Sequence, residues 1–382
     1  MRKTDLERCM TKAGSRRHRQ ERVGRTRTRD ARSARPAPLQ DVPTFSDLRL
    51  DDVQLAALER RREQAECPQN LHPACVVRLD RGLPQVVTER DVIRAEHAVA
   101  FAHDRDVLPA VGDWVVVRCT PGHDQGVIEE VLPRRTTFGR WRGRNRAQRQ
   151  VLCANVDTIL IMQALGAGEL LLDRIARSLV LANDCGARPQ VVLTKADRCP
   201  ATWRDEAIAR VSRLVGTGGH VIVTSAAKRS GLEAVLAAVP PLSLAMTLGE
   251  SGVGKSTLVN TLLGRETLAT ADVRARDDAG RHTTVARVLI ALPGAGVIAD
   301  APGLRSLQLV GHERGLAQTF PEIVRASSAC RFSDCSHRRE PGCAIRAAVD
   351  EGKIDPVRLD AFLSIAEEMR VSAQSLDPDI HL

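Results

Sequence analysis

Thr194-Lys195-Ala196-Asp197 comes before Gly249-Glu250-Ser251-Gly252-Val253-Gly254-Lys255-Ser256 in this chain, and that order decides the fold. The second stretch fits G-x-x-x-x-G-K-[ST]. Its glycines let backbone N–H groups turn toward phosphates, while Lys255 and Ser256 face the β- and γ-phosphates and Mg²⁺. The first stretch reads as a guanine-selecting tetrapeptide. In an ordinary GTPase the phosphate loop comes first, so the order predicts a circularly permuted α/β P-loop domain.

The flanks agree with this reading. Residues 242–248 form a largely apolar run that suits a strand, and Thr257 opens a helical stretch whose N-terminus offers partial positive charge to phosphates. Asp300-Ala301-Pro302-Gly303 follows the apolar strand at 296–299. A P-loop GTPase carries its second Mg²⁺ carboxylate there, here Asp300, and its γ-phosphate-sensing glycine, here Gly303. Gly280-Arg281-His282-Thr283-Thr284 lies between these motifs in a segment rich in Arg, Asp and Gly, which reads as a loop. Thr283, in preference to Thr284, is expected to complete the Mg²⁺ shell as switch I.

Base choice rests on Thr194, Lys195, Ala196 and Asp197, at the end of the apolar stretch 191–193. A carboxylate there accepts paired hydrogen bonds from guanine N1–H and the exocyclic amine, which adenine does not offer. The usual first residue of this motif is Asn, so Thr194 is a departure. Thr224-Ser225-Ala226 follows another short apolar strand and resembles the last guanine-contacting motif, in which a backbone N–H meets the base oxygen.

With 382 residues, two to three domains are expected. The N-terminus lacks an apolar leader and no uninterrupted apolar stretch has membrane-spanning length, so a cytoplasmic protein without membrane contact is expected, as a monomer. The ten cysteines are scattered, which argues for reduced thiols, some of them metal ligands. A net charge of +9 favours a polyanionic partner, most simply RNA, although a proteome rich in Arg gives the same excess.

Residues 1–45 are Arg-rich and aperiodic and read as a disordered basic tail that the fold does not need. Residues 46–73 form a helical lead-in, with Leu50, Val53, Leu55 and Leu58 at helical spacing. Over 74–140 five short stretches alternate, at 75–79, 85–88, 98–101, 114–118 and 126–131, and predict an OB-type β-barrel, with a small β-sandwich as the alternative. Residues 134–146 then interleave Arg140, Arg142 and Arg144 with Phe138 and Trp141. These can pair with phosphates and stack on bases, or form a solvated basic linker. The nucleotide domain is placed at 150–308 and a C-terminal domain at 309–382.

That last domain carries Cys330-x4-Cys335-x-His337-x5-Cys343. Three thiolates and one imidazole close a tetrahedral Zn²⁺ site with no open position, a structural rather than catalytic arrangement, with one ion per chain. A loop-rich segment with little core needs such a staple. An amphipathic helix is expected over 355–369, with Leu359, Phe362, Leu363 and Ile365 near one face.

The barrel, the order TKAD, TSA, GESGVGKST, GRHTT, DAPG and the C-x4-C-x-H-x5-C cluster together resemble the ribosome small subunit-dependent GTPase A family, over about residues 70 to 370. Val111-Gly112-Asp113-Trp114 and Ala154-Asn155-Val156-Asp157 are smaller markers of the same likeness. The resemblance implies a multidomain protein: an N-terminal OB-type barrel, a permuted GTPase domain and a C-terminal Zn-binding helical module. It also implies a role in late maturation of the small (30S) ribosomal subunit, with GTP hydrolysis stimulated by that subunit and contacts to 16S rRNA. The cofactors implied are Zn²⁺ and, with GTP, Mg²⁺. Composition alone gives only a basic GTPase.

The permutation places switch II at the exit of the nucleotide domain, so the chain after Gly303 runs straight toward the metal module and loss of the γ-phosphate can reposition it. Leu304 stands where many GTPases keep a water-orienting Gln, and it has no hydrogen-bonding group. His282 is the candidate replacement, as the GRHTT motif of the resembling family also suggests. A P-loop kinase would not need the TKAD and TSA pair or the metal module. A binding protein with a vestigial site would not need Lys255, Ser256 and Asp300 together.

Overall fold

The computed structural model describes residues 41–79, 83–98, 108–120, 123, 125–142, 148–166, 170–217, 219–268, 287–300, 309 and 311–376, with backbone alone at 140–142, 148, 149, 375 and 376. A 3-10 turn at Phe45–Asp47 precedes helix α1 (Asp52–Glu63). Asp51 and Gln54 cap α1 reciprocally, the Gln54 N–H donating to Asp51 at 2.9 Å and the Asp51 N–H to Gln54 at 3.1 Å. The helix buries Gln54, Ala57 and Leu58 and leaves Val53 and Leu55 exposed, which corrects the expected apolar face. The cause is Gln54, whose amide donates to the Pro133 carbonyl at 3.1 Å and so turns a polar residue inward.

The alternating stretches form β1 (Leu71–Leu79), β2 (Gln85–Val87), β3 (Val92–His97), β4 (Trp114–Cys119) and β5 (Gln125–Val131). They pair in the order β1-β2-β3-β5-β4 and back to β1, a closed five-stranded barrel in which only the β3–β5 pairing is parallel. Ala74, Val76, Val86, Ala95, Val115, Val117 and Ile128 fill it. Their neighbours Cys75, Val77, Trp114 and Val116 point outward into a second, larger core. The third strand lies at 92–97, and the stretch expected at 98–101 lies, apart from Ala98, outside the described residues. Ala95 is its one fully buried residue, so its alternation is faint in the sequence.

The expected linker is a hairpin instead, β6 (Thr137–Arg142) with β7 (Gln148–Ala154), antiparallel and separate from the main sheet. Buried Phe138, Leu152 and Cys153 root it. Arg134 turns back to the barrel, making two 2.7 Å bonds to the buried Asp113 carboxylate.

The nucleotide domain runs β8 (Thr158–Ala164), α2 (Leu172–Asp184), β9 (Arg188–Thr194), α3 (Ala201–Val215), β10 (Val221–Val223), α4 (Leu232–Ala237), β11 (Leu244–Leu248), α5 (Lys255–Leu263), β12 (Arg287–Ala291) and β13 (Val297–Asp300). Its strands lie in the order β10-β9-β8-β11-β13-β12, all parallel except β12. Counted from the phosphate-loop strand, this is sixth, fifth, fourth, first, third, second. The domain is therefore a GTPase sheet entered at its fourth strand. Strand β12 also pairs with β1, Arg78 opposite Val288, so barrel and nucleotide domain share one continuous sheet.

The C-terminal part is helical: α6 (Glu313–Thr319), α7 (Pro321–Ser327), α8 (Ala344–Asp350) and α9 (Pro356–Leu376), the last extending past the expected end at 369. It docks on α2 and α3 through polar contacts. Arg358, 7% exposed, pairs with Glu322, donates to the carbonyls of Leu214 and Thr319 at 2.6 Å each, and lies 5.0 Å from the Phe320 ring centroid. His312 Nδ1 is 2.7 Å from Asp184, and Asn183 donates to Thr319 at 2.8 Å. Among the described residues no helix is long and apolar enough to cross a membrane.

Candidate functional site

Parallel strands in an open sheet end on one side, and the loops there share a crevice. Leu248 of β11 lies opposite Ile161, Ala164 of β8 opposite Thr194, and Leu193 of β9 opposite Val223. The phosphate loop, the TKAD stretch and Thr224-Ser225-Ala226 therefore leave the sheet side by side. Met246 pairs with Ala299, which sets Asp300 level with Thr247, just below the phosphate loop. Asp300 is 6% exposed.

The phosphate loop requires its glycines. Gly254 has φ +100°, a conformation that L side chains rarely adopt, and a Cβ on Gly249 would sit 2.6 Å from the Met162 carbonyl oxygen. Helix α5 then starts at Lys255, so its first N–H groups face the loop. Lys255 Nζ donates to the Gly249 and Glu250 carbonyls at 2.7 and 2.6 Å, within the arc that phosphates occupy in a P-loop. Ser251 and Thr257 are exposed, while Ser256 is half-buried at the start of the helix.

Thr194 is no defect. Its hydroxyl, buried, donates to the Val253 carbonyl at 2.6 Å, so it ties the base-side motif to the phosphate loop. Lys195, with φ 56°, adds a second tie from Nζ to the Gly252 carbonyl at 2.5 Å. Asp197 is exposed, and its carboxylate accepts from the Ser225 hydroxyl, which holds it below the usual carboxylate range. Ser225 is itself pinned by the Lys228 N–H at 3.1 Å, and Ala196 N–H donates to the Thr224 carbonyl at 3.2 Å. Ala226 follows Ser225 at the same edge. The TKAD stretch and Thr224-Ser225-Ala226 are thus one hydrogen-bonded unit, and Ser225 is the orienting group for Asp197. His282, Thr283 and Gly303 lie outside the described residues, as does Arg144; Arg140 and Arg142 sit on β6, opposite Gln150 and Gln148.

Cys330, Cys335, His337 and Cys343 come together with their ligand atoms all within 4.8 Å of one another. His337 Nδ1 lies 3.6 Å from Cys330 Sγ and 3.7 Å from Cys343 Sγ. Ligands about 2.3 and 2.0 Å from one tetrahedral Zn²⁺ are about 3.5 Å apart, so the spacing fits that ion. Burial pushes the Cys335 thiol up to about 11, with the neighbouring Cys343 and Cys330 thiols adding to it. Cys330 is lowered instead: burial raises it, but the Ala344 and Ile345 N–H groups and the neighbouring thiols outweigh that. Glu340, which the spacing did not reveal, shapes the loop. It accepts from the N–H groups of Ser336, Arg338 and Arg339 at 2.9, 3.1 and 3.0 Å and from the Ser336 hydroxyl, and these bonds hold its carboxyl at about 2.

Residues 131–310 match the family model described as RsgA GTPase. The Small ribosomal subunit biogenesis GTPase RsgA of Streptomyces coelicolor is 43% identical over 300 residues, covering 78% of this chain and 81% of that one. Two solved structures share the fold. YjeQ from Thermotoga maritima has a TM-score of 0.60 at 24% identity over 78% of this chain and 99% of that one. YloQ, described as a circularly permuted GTPase, has 0.58 at 23% over 79% and 96%.

Proposed function

The chain belongs to the RsgA GTPase family, and from that premise we propose that it hydrolyses GTP in the maturation of the small ribosomal subunit, in the cytoplasm and under stimulation by that subunit. The observation that carries the nucleotide part is the pairing of Thr194 and Lys195 with the phosphate-loop carbonyls of Val253 and Gly252, which makes base recognition and phosphate binding one rigid unit.

In this reading Asp197, held ionised by Ser225, accepts from guanine, and the backbone at Ala226 meets the base oxygen. The amides of the loop from Gly249 to Gly254 and the start of α5 receive the phosphates, and Lys255 exchanges its two carbonyl partners for phosphate oxygens. The Ser256 hydroxyl and the Asp300 carboxylate, with Thr283, would hold Mg²⁺; when bound, the ion neutralises charge on the β- and γ-phosphates. His282 positions the attacking water in place of the missing Gln, and Gly303 senses the γ-phosphate. Cys330, Cys335, His337 and Cys343 hold one Zn²⁺ with a purely structural role.

The β6–β7 hairpin is the proposed rRNA contact, because Arg140 and Arg142 belong to β6 and Arg144 follows them in the sequence, in a chain of net charge +9. Sedimentation with purified small subunits tests the assignment. Co-sedimentation is expected with a non-hydrolysable GTP analogue and weakened with GDP, falling steeply with salt. Equal binding in both nucleotide states would contradict it.

A further inference from the structure

The residues just ahead of α1, expected to belong to the tail through position 45, do specific work. Asp41 adopts φ 83°, a conformation uncommon outside glycine. Its carboxylate, 7% exposed, accepts from the Thr267 hydroxyl at 2.8 Å and from Arg265 Nε at 3.1 Å. Its carbonyl accepts from the Ala291 N–H at 2.9 Å. Thr267 and Leu268 are also gripped by Asn260 of α5, whose amide oxygen accepts from their N–H groups at 3.1 and 2.8 Å and whose amide nitrogen donates to the Leu268 carbonyl at 2.8 Å.

These contacts fall on both elements that bracket one connection. Helix α5 begins at the phosphate loop and ends at Leu263; strand β12 is the next strand of the sheet. The sequence between them carries the GRHTT motif. One residue from outside the nucleotide domain thus holds the chain at the exit of α5 and, through Ala291, the far end of β12. The same N-terminal segment is fixed to the barrel. Phe45 packs edge-on against Trp114, ring centroids 5.1 Å apart, and Trp114 Nε1 donates to the Arg49 carbonyl at 2.8 Å.

We propose that Asp41 is a positioning residue for GTP turnover, clamping the exit of α5 to β12 and tying that clamp to the barrel. The proposal rests on the GTPase reading above. Asp41 touches neither the phosphate loop nor the TKAD stretch, so its loss should leave nucleotide affinity alone and act on kcat.

The experiment uses the full chain and Asp41→Ala, Asp41→Asn, Thr267→Val and the Asp41→Ala/Thr267→Val double variant, together with chains lacking residues 1–39 or 1–43. Turnover, mant-GDP affinity and, without nucleotide, amide hydrogen exchange over 260–268 are measured. Small misplacements near a reacting centre can cost up to about a hundredfold, so kcat in Asp41→Ala is expected to fall about five- to tenfold, with GDP affinity within about twofold. Exchange at Thr267 and Leu268 should quicken, Asp41→Asn, which keeps an acceptor for Thr267, should recover most of the rate, and the double variant should be no worse than Asp41→Ala. Removing 1–39 should be neutral and removing 1–43 should reproduce Asp41→Ala. An unchanged kcat in Asp41→Ala, or kcat, GDP affinity and melting temperature falling together, overturns the proposal. A parent chain without GTP turnover instead overturns the reading on which it rests.

Discussion

The nucleotide site and the Cys/His cluster both gather residues at or beyond the ends of regular elements, yet they get their geometry from different sources. The phosphate loop, Thr194, Asp197 and Asp300 are set by the register of five parallel strands, and Thr194 and Lys195 tie the two halves together through protein–protein hydrogen bonds. The cluster at Cys330, Cys335, His337 and Cys343 is held by no strand among the described residues; Glu340 orders its loop. A preformed site spends little on ordering when it binds, whereas a metal-ordered loop couples binding to folding.

The largest expected effect separates the two directly. Replacing Cys335 or His337, or stripping the metal with a chelator, should remove a stabilisation on the order of 10 kcal/mol from the C-terminal loop. Metal analysis should fall from one Zn²⁺ per chain to none while GDP affinity stays within about twofold. A comparable loss of GDP binding would show that the sites are not independent.

Next in size is Arg358→Ala, which leaves Glu322 and two backbone carbonyls without their buried partner; unfolding should cost about 3–5 kcal/mol less. Denaturant titration checks it, and a change below about 1 kcal/mol would mean that the docking of α9 does not depend on this arginine. Thr194→Val removes the donor to the buried Val253 carbonyl and should cost about 1–3 kcal/mol, read as weaker GDP binding, with Thr194→Asn restoring most of it.

The smallest effect concerns pH. Because Ser225 holds the Asp197 carboxyl below its ordinary value, the ionised form survives acidification, and its contribution to binding is lost only as pH falls through that lowered value. GDP affinity should therefore be flat from pH 7 to about 5 as far as this group is concerned, and Ser225→Ala should move the acid limb upward. An identical pH profile in that variant would return Ser225 to a structural role.

How much of this was legible follows the same division. Local motifs announced the phosphate loop, the TKAD stretch and the metal ligands, since each needs fixed residue types at fixed spacing, and their order alone exposed the permutation. What the sequence hid is made by tertiary contact. Gln54 turns inward because of a carbonyl far along the chain, and β3 buries little beyond Ala95, so its alternation was too faint to place it. The pairing of β6 with β7 went unseen because arginines interrupt the sequence around its four described buried residues, Phe138, Leu152, Cys153 and Ala154. Asp41 sat in an aperiodic basic stretch with no local sign that Thr267 and Arg265 would meet it. Ser225 was read for its backbone, while its hydroxyl orients Asp197.

The most direct test of the account is the rate of nucleotide hydrolysis by the intact chain, with GTP and with ATP, in the presence and absence of purified small ribosomal subunits. Slow hydrolysis of GTP alone, raised at least about tenfold by the subunits and absent with ATP, is the predicted result. Turnover that ignores the subunits, or that accepts ATP as readily as GTP, would contradict it.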